Sequence, residues 1–290
     1  MIKTKHKIKI AGIIFKILKF FYNKKNLHNF LIKRNGINWK LDLSEGIDLT
    51  IFLFGNSEKD LDNLKKLLSI KKKLIFIDVG ANIGSTSLNL AQQYKNSKIF
   101  AFEPTYYAFD KFKTNLNLND ELKKRIFPIN SLVSNKAIKD DIYSSWKVDE
   151  INNKGIHKYH GGIPKSFTES FISIDKFVEK QEIKNIDFIK IDVDGNEKYV
   201  IESSLKSLEK FKPIIFLEIA PYLYTENNYT FDDLNNLLEK FEYEYFTSQM
   251  KRISNIHKFV AKINSGSSKN VFLISKLNYL FNIKNKLLIK

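Results

Sequence analysis

The chemistry in this chain is carried by acids placed at the ends of apolar runs. Asp78 closes the run Leu74–Ile77, and the turn Gly80-Ala81-Asn82-Ile83-Gly84 follows at once. Gly80 and Gly84 have no Cβ, so a ligand can come close to the backbone there. Ser85 and Thr86 then open an apolar-periodic segment that reads as a helix, whose first N–H groups are free for an anion. Glu103 ends a second apolar run, Lys98–Phe102, with Pro104 behind it. The interval from the turn is close to the ~20 residues that separate a glycine turn from a ribose-binding acid in dinucleotide folds. Further on, Asp192, Asp194 and Glu197 crowd the end of Ile186–Ile191, and Glu218 stands inside the apolar run Ile214–Ile219. A carboxylate in so apolar a run is costly unless it is paired or used. Crowded carboxylates raise one another's pKa, which moves a base toward usefulness at neutral pH.

The turn does not read G-x-G-x-x-G, so it makes no full pyrophosphate cradle. Asp78 suits an ammonium group better than a phosphate. A ligand with adenosine at one end and a zwitterionic amino acid at the other satisfies both ends of the pattern. That ligand is S-adenosylmethionine, and its candidate contacts are Asp78, Gly80, Asn82, Gly84, Ser85, Thr86, Glu103 and Pro104.

Three stretches in order carry a family resemblance: FIDVGANIGSTSLNLA, then AFEP, then ISIDKFV followed by IDFIKIDVDGNEKYVI. They resemble the FkbM family of methyltransferases over residues 35–277. The resemblance implies a class I methyltransferase fold and O-methylation of a hydroxyl on a sugar or related metabolite. It also implies that the end of the third strand, Ile126–Val133, borders the adenine, which adds Asn130 and Ser131 to the cofactor candidates, with a core or turn role as the alternative. The family pattern is D-V-E-G where this chain has Asp192-Val193-Asp194-Gly195, so the acid is kept but is one methylene shorter. Asp192, the strongest motif match, is expected to touch acceptor or cofactor. Asp194 is the expected base, with Glu197 and Glu218 facing the same site. The plainer reading is that Asp192 and Asp194 merely cap the following helix.

These residues need a sheet to bring them together. Runs at 74–77, 98–102, 126–133, 186–191 and 214–219 read as buried parallel strands, and 243–247 with 271–274 as an antiparallel hairpin. Helical spacing covers 107–118, 173–180, 197–208 and 231–241. The expected fold is α/β: a Rossmann-like, mostly parallel sheet with a C-terminal antiparallel strand and helices on both faces. Residues 71–277 form the expected methyltransferase domain, residues 1–70 an amphipathic helix with a small β/helical lead-in, and residues 278–290 a basic tail. In the lead-in, Asn35-Gly36 predicts a hairpin. Ile47–Phe54 reads as extended, and Ser57–Leu68 as a helix capped by Ser57. Residues 136–170 break the pattern and read as a substrate loop, with Trp146, His157 and His160 as acceptor candidates and no metal expected.

The 290 residues are 43% hydrophobic, enough for a substantial core, and contain no cysteine. Disulfides, a thiol nucleophile and thiolate metal sites are therefore excluded. The net charge of +16 fits an anionic partner or a diffuse solvated lysine surface. Candidate partners are a small-molecule or glycan acceptor, anionic or lipid-linked. Nucleic acid is disfavoured, since no RNP signature or Asn-Pro-Pro-Tyr-type base pocket is present. Lys16 and Lys19 interrupt the apolar residues of the first 25 positions, so that stretch is too charged to span a bilayer and lacks a signal-peptide cleavage pattern. It reads as an amphipathic helix that docks on the domain or rests on a membrane surface. The expected location is cytoplasmic, with peripheral contact at the inner membrane face as the alternative. The expected function is S-adenosylmethionine-dependent O-methylation in surface-glycan or secondary-metabolite synthesis. Its rivals are a non-catalytic nucleotide-binding Rossmann-like module and an RNA methyltransferase.

Overall fold

A computed structural model describes residues 4–22, 24–56, 59–68, 73–137, 142–143, 147–148 and 164–276. Seven strands form the central sheet: β1 (Leu74–Val79), β2 (Ser97–Phe102), β3 (Ile126–Ile129), β4 (Phe188–Ile191), β5 (Ile214–Ile219), β6 (Tyr243–Thr247) and β7 (Lys269–Ser275). Their spatial order is β6-β7-β5-β4-β1-β2-β3. The pairs β1–β2, β2–β3, β1–β4 and β4–β5 are parallel, while β7 runs antiparallel to both β5 and β6. The chain turns back past β1 to lay down β4, so β1 and β4 flank the topological switch point. Open α/β sheets bind ligands there, at the carboxyl ends of the strands.

Alternation along each strand divides the interior into two cores. Phe76, Phe188, Phe216 and Phe272 face one side and pack with Trp39, Leu41, Ile51, Leu88 and Phe112. Ile77, Ile189, Leu217 and Leu273 face the other side and pack with Phe177, Val200, Leu208, Leu234 and Leu238. Helices Ser85–Gln93 and Tyr106–Asn117, together with the N-terminal lead-in, therefore cover one face. Helices Ile174–Lys180, Glu197–Glu202, Leu205–Phe211 and Phe231–Glu239 cover the other.

Several local expectations change. Ile47–Phe54 is not extended: Gly46–Phe54 is a helix. Its β-formers are overruled by burial of Leu49 and Ile51 and by a helix stop, Gly55, at φ 76° with its N–H on the Ile51 carbonyl. The expected helix at 57–68 is a 3₁₀ turn, Lys59–Asn63, followed by a short α-helix, Leu64–Leu68, and Ser57 lies outside the described residues. The third strand stops at Ile129. Leu132–Val133 leaves the sheet and pairs in parallel with Phe171–Ile172. Pro128 is tolerated in β3 because β3 is an edge strand and needs fewer ladder donors. The helix from Glu197 breaks at Ser203-Ser204, whose hydroxyls bond back to the Val200 carbonyl at 2.8 and 3.0 Å. The Asn35-Gly36 hairpin forms as the residue pair dictates, both at positive φ (51° and 77°).

A polar network pins the lead-in to helix Tyr106–Asn117. Lys111 Nζ reaches Glu45 at 2.8 Å and Asp48 at 2.9 Å, and the Tyr107 hydroxyl donates to Glu45. Lys147 lies 3.2 Å from the same Glu45, and Val148 N–H donates to the Ser44 carbonyl. One point of the 136–170 segment is thereby fastened over the lead-in.

Candidate active site

The glycine turn leaves β1 with Gly80 at φ 79°, Asn82 at 50° and Gly84 at 83°. The glycines serve backbone packing rather than ligand approach alone. A Cβ on Gly80 would lie 1.9 Å from the Asp192 carbonyl oxygen, and one on Gly84 would lie 2.1 Å from the Phe112 ring. Gly80 thus lets the end of β4 press against the end of β1. Gly84 in turn lets helix Tyr106–Asn117 pack over the helix that begins at Ser85. Ser85 and Thr86 are buried at that helix start.

Glu103, at the end of β2, is buried and locked beside the turn. Its Oε2 accepts from the Asn82 N–H at 2.9 Å, and its Oε1 accepts from the Thr105 N–H at 2.9 Å and from the Thr105 hydroxyl. Burial raises its pKa, against the Thr105 and Asn82 hydrogen bonds that favour the charged form. Asn130 and Ser131 do not stand free at the end of β3. Asn130 Nδ2 donates to the Glu103 and Pro104 carbonyls at 2.8 and 3.0 Å, and the Ser131 hydroxyl donates to the Ser170 carbonyl at 3.1 Å. Thr168 N–H also donates to the Pro104 carbonyl. These contacts stitch the returning end of the 136–170 segment onto the end of β2. Trp146, His157 and His160 lie outside the described residues.

Beneath the turn is a buried cation that the sequence reading missed. Lys190 in β4 is the cross-strand partner of Asp78 in β1. Its Nζ donates to the Gly80 carbonyl at 3.0 Å and lies 3.3 Å from Asp192 and 3.7 Å from Asp78. Asp78 is fully buried; its Oδ2 accepts from Ser87 at 2.6 Å, while Oδ1 has no hydrogen-bond partner. Burial raises the Asp78 pKa and Lys190 opposes that rise. Asp78 thus sits below the turn, tied to Ser87 and Lys190, with only Oδ1 left to accept a further hydrogen bond. The signal was the one that flagged Glu218: a charge inside an apolar strand.

The loop after β4 is built around a second buried acid. Asp194 and Gly195 both take left-handed backbone, at φ 48° and 95°. Asp tolerates that conformation better than longer side chains, which gives Asp rather than Glu at position 194 a physical reason. Glu197 is fully buried, and its Oε1 accepts from the Val193 and Gly195 N–H groups, each at 3.2 Å. Tyr229 and Asn227 hold the Gly195 carbonyl at 2.7 and 3.0 Å. Glu197 therefore positions the loop and does not face an acceptor; burial pushes its pKa up to about 7.

Asp192 and Asp194 occupy the accessible side of this loop. The register pairs Ile191 with Leu217, so the following Asp192 and Glu218 are neighbours at the carboxyl ends of β4 and β5. Glu218 is half-buried, and burial, then Asp192, Asp194 and Glu197, push its pKa well up. Asp194 is open to water. Desolvation and then Asp192 raise its pKa, and Lys190 opposes that rise. Tyr222, just beyond β5, joins the group: burial and then Glu218 and Asp194 raise its pKa. Among the described residues, no three His, Cys, Asp or Glu side chains are grouped so as to hold a metal ion.

Residues 78–245 match the methyltransferase FkbM domain, from Asp78 in β1 to Tyr245 in β6. The hexuronic acid methyltransferase AglP of Haloferax volcanii is 29% identical over 138 residues, which are 48% of this chain and 53% of AglP. The methyltransferase sdnD of Sordaria araneosa is 38% identical over 61 residues, 21% of this chain and 24% of sdnD. The chain thus spans about half of the first relative's length and about a quarter of the second's. Among solved structures, the FkbM methyltransferase of Methylobacillus flagellatus is similar at 15% identity and TM-score 0.44, covering 72% of this chain and 45% of that one. With the family's domain matched over residues 78–245, which hold the site loops, the chain belongs to the FkbM methyltransferase family, whose methyl donor is S-adenosylmethionine.

Proposed function

We propose that this chain methylates a hydroxyl of a sugar or glycan, with Asp194 as the base. The reading rests on one observation above all: three accessible or half-buried acids, Asp192, Asp194 and Glu218, crowd the carboxyl ends of β4 and β5 beside the β1 turn. The residues at the switch point fit S-adenosylmethionine. The Glu103 carboxylate beside the turn is an acceptor for hydroxyl groups, and Asp78 Oδ1 is a buried acceptor with no hydrogen bond below it. When bound, that cofactor supplies an electrophilic sulfonium methyl group. The work left to the protein is alignment and proton removal.

In this reading the Asp194 carboxylate would accept the proton of the acceptor hydroxyl, and the methyl would come from the bound cofactor's sulfonium, with S-adenosylhomocysteine leaving. Asp194, being open to water, then returns the proton to solvent. Glu218, whose pKa burial and then its acidic neighbours raise, donates a hydrogen bond to the acceptor when it is protonated. Lys190 keeps Asp192 and the Gly80 carbonyl in register. A sugar acceptor is supported by the printed activity of AglP, and an acidic one by the net charge of +16.

The test is mass spectrometry of the purified chain after incubation with S-adenosylmethionine and a panel of uronic acids, nucleotide sugars and lipid-linked sugars, beside calorimetry with S-adenosylhomocysteine. A one-methyl mass increase on a sugar is expected. Cofactor binding with no methylated sugar in the panel would sink the glycan assignment, and no S-adenosylhomocysteine binding would sink the methyl-transfer reading itself.

A further inference from the structure

We infer that the N-terminal helix Thr4–Phe21 and the adjoining edge of the lead-in form a docking surface for an anionic lipid bilayer. The helix has two apolar faces. Ala11 and Phe15 are buried and Leu18 packs against the core, at i, i+4, i+7 spacing. That face docks the helix on the domain. On the opposite side Ile10, Ile13, Ile17 and Phe20, at i, i+3, i+7, i+10 spacing, are 48%, 61%, 53% and 86% exposed. Docking within the chain therefore accounts for only one of the two apolar stripes.

The half-buried Phe30 and Phe52 carry the apolar surface beyond the helix. Tyr22 meets Phe30 and Phe30 meets Phe52, each pair edge-on with centroids 5.3 Å apart, which joins the helix end to the hairpin and to helix Gly46–Phe54. Among the described residues, nine of the thirteen exposed large hydrophobic side chains lie before residue 55. A concentration of that kind marks an interaction surface rather than scattered exposure.

Charge selects the occupant. The helix contains no acid, and the exposed Lys9, Lys16 and Lys19 line one flank of the stripe. A second copy laid antiparallel across this face about a two-fold axis would set those lysines against themselves, which disfavours that dimer. A lysine-flanked apolar stripe matches an anionic headgroup layer, where the apolar side chains enter the acyl boundary and the ammonium groups stay with the phosphates. No described helix is long and apolar enough to cross a membrane, so the contact is peripheral. This inference concerns a partner surface and does not depend on the acceptor.

The experiment is flotation of the full chain with phosphatidylcholine vesicles, with and without phosphatidylglycerol. Binding is expected to the anionic vesicles at low salt and to weaken as salt rises, because the Debye length falls to about 3 Å at 1 M. Ile13→Asp with Ile17→Asp should reduce flotation at least ~10-fold, as two large side chains leave the acyl boundary, while Tm and S-adenosylhomocysteine binding stay unchanged. Lys16→Glu with Lys19→Glu should remove the preference for anionic vesicles. The inference is overturned if the wild-type chain does not float with anionic vesicles at low salt, or if the Ile13/Ile17 variant floats equally well. A concentration-dependent dimer abolished by that variant, or capture of an acidic protein, without vesicle binding would overturn it too.

Discussion

Replacing Lys190 with methionine keeps an unbranched stem and removes the ammonium from between the two strand ends. The side chains of Lys190 and Asp78 are 3% and 1% exposed, so solvent does not screen that pair. Asp192 is 32% exposed, and its share of the interaction is largely screened. Breaking a buried pair by removing one partner costs about 3–5 kcal/mol, and leaving the Gly80 carbonyl without its donor costs about 1–3 kcal/mol. The losses do not add in full, because Asp78 can take up a proton. Burial already raises the Asp78 pKa, and Lys190 is the main influence holding it down. A folded-state pKa above the unfolded value means that the folded protein binds more protons. Stability is then lost as pH rises through the folded value, and removing Lys190 moves that value higher. The expected loss is ~3 kcal/mol at about pH 8 and clearly less at about pH 5, a Tm drop of roughly 6–10 °C at the higher pH. Thermal and urea unfolding at both pH values measure it. Adding Asp78→Asn should recover most of the loss, since neither charge then remains. A Lys190→Met protein within about 0.5 kcal/mol of wild type at both pH values would refute the reasoning, as would a double variant that shows no recovery.

Three further outcomes follow from the same geometry. Glu103→Gln should weaken S-adenosylhomocysteine binding by about 1.5–3 kcal/mol for each charge-assisted bond lost, read by calorimetry, and wild-type affinity in the variant would remove Glu103 from the ribose. Asp194→Asn should leave S-adenosylhomocysteine binding intact and cut turnover roughly a hundredfold. Wild-type turnover should climb as pH rises through the raised Asp194 pKa, and that limb should vanish in the variant; full activity in the variant would move the role of base to Glu218. Gly84→Ala should lower Tm through left-handed strain of about 1–2 kcal/mol plus the collision with Phe112, and Phe112→Leu in the same chain should restore part of the loss. No restoration would mean that Phe112 is not the obstacle.

What the sequence determined by itself was the identity and order of the parts. Apolar runs of β-formers, a glycine turn, and acids at strand ends were enough to read a mostly parallel sheet, its antiparallel final strand and the neighbourhood of Asp78, Glu103, Asp192 and Glu218. These are local signals: a strand buried on both faces must be apolar, and a residue at its carboxyl end projects into the switch-point crevice. Tertiary structure decided what each polar group touches. Glu197 and Asp194 are three residues apart and chemically alike, yet backbone N–H groups surround one and water reaches the other. Lys190 became central only when the parallel register set it opposite Asp78. Ser131 and Pro104 read as cofactor contacts, yet the return of the 164–170 segment gives both of them fixed partners. Ile47–Phe54 read as a strand because propensity weighs β-branched and aromatic residues, while the packing of the lead-in against the sheet made it a helix. Strand and turn signals act over a few residues. Pairings across tens or hundreds of residues depend on register and layer packing, which no local window contains.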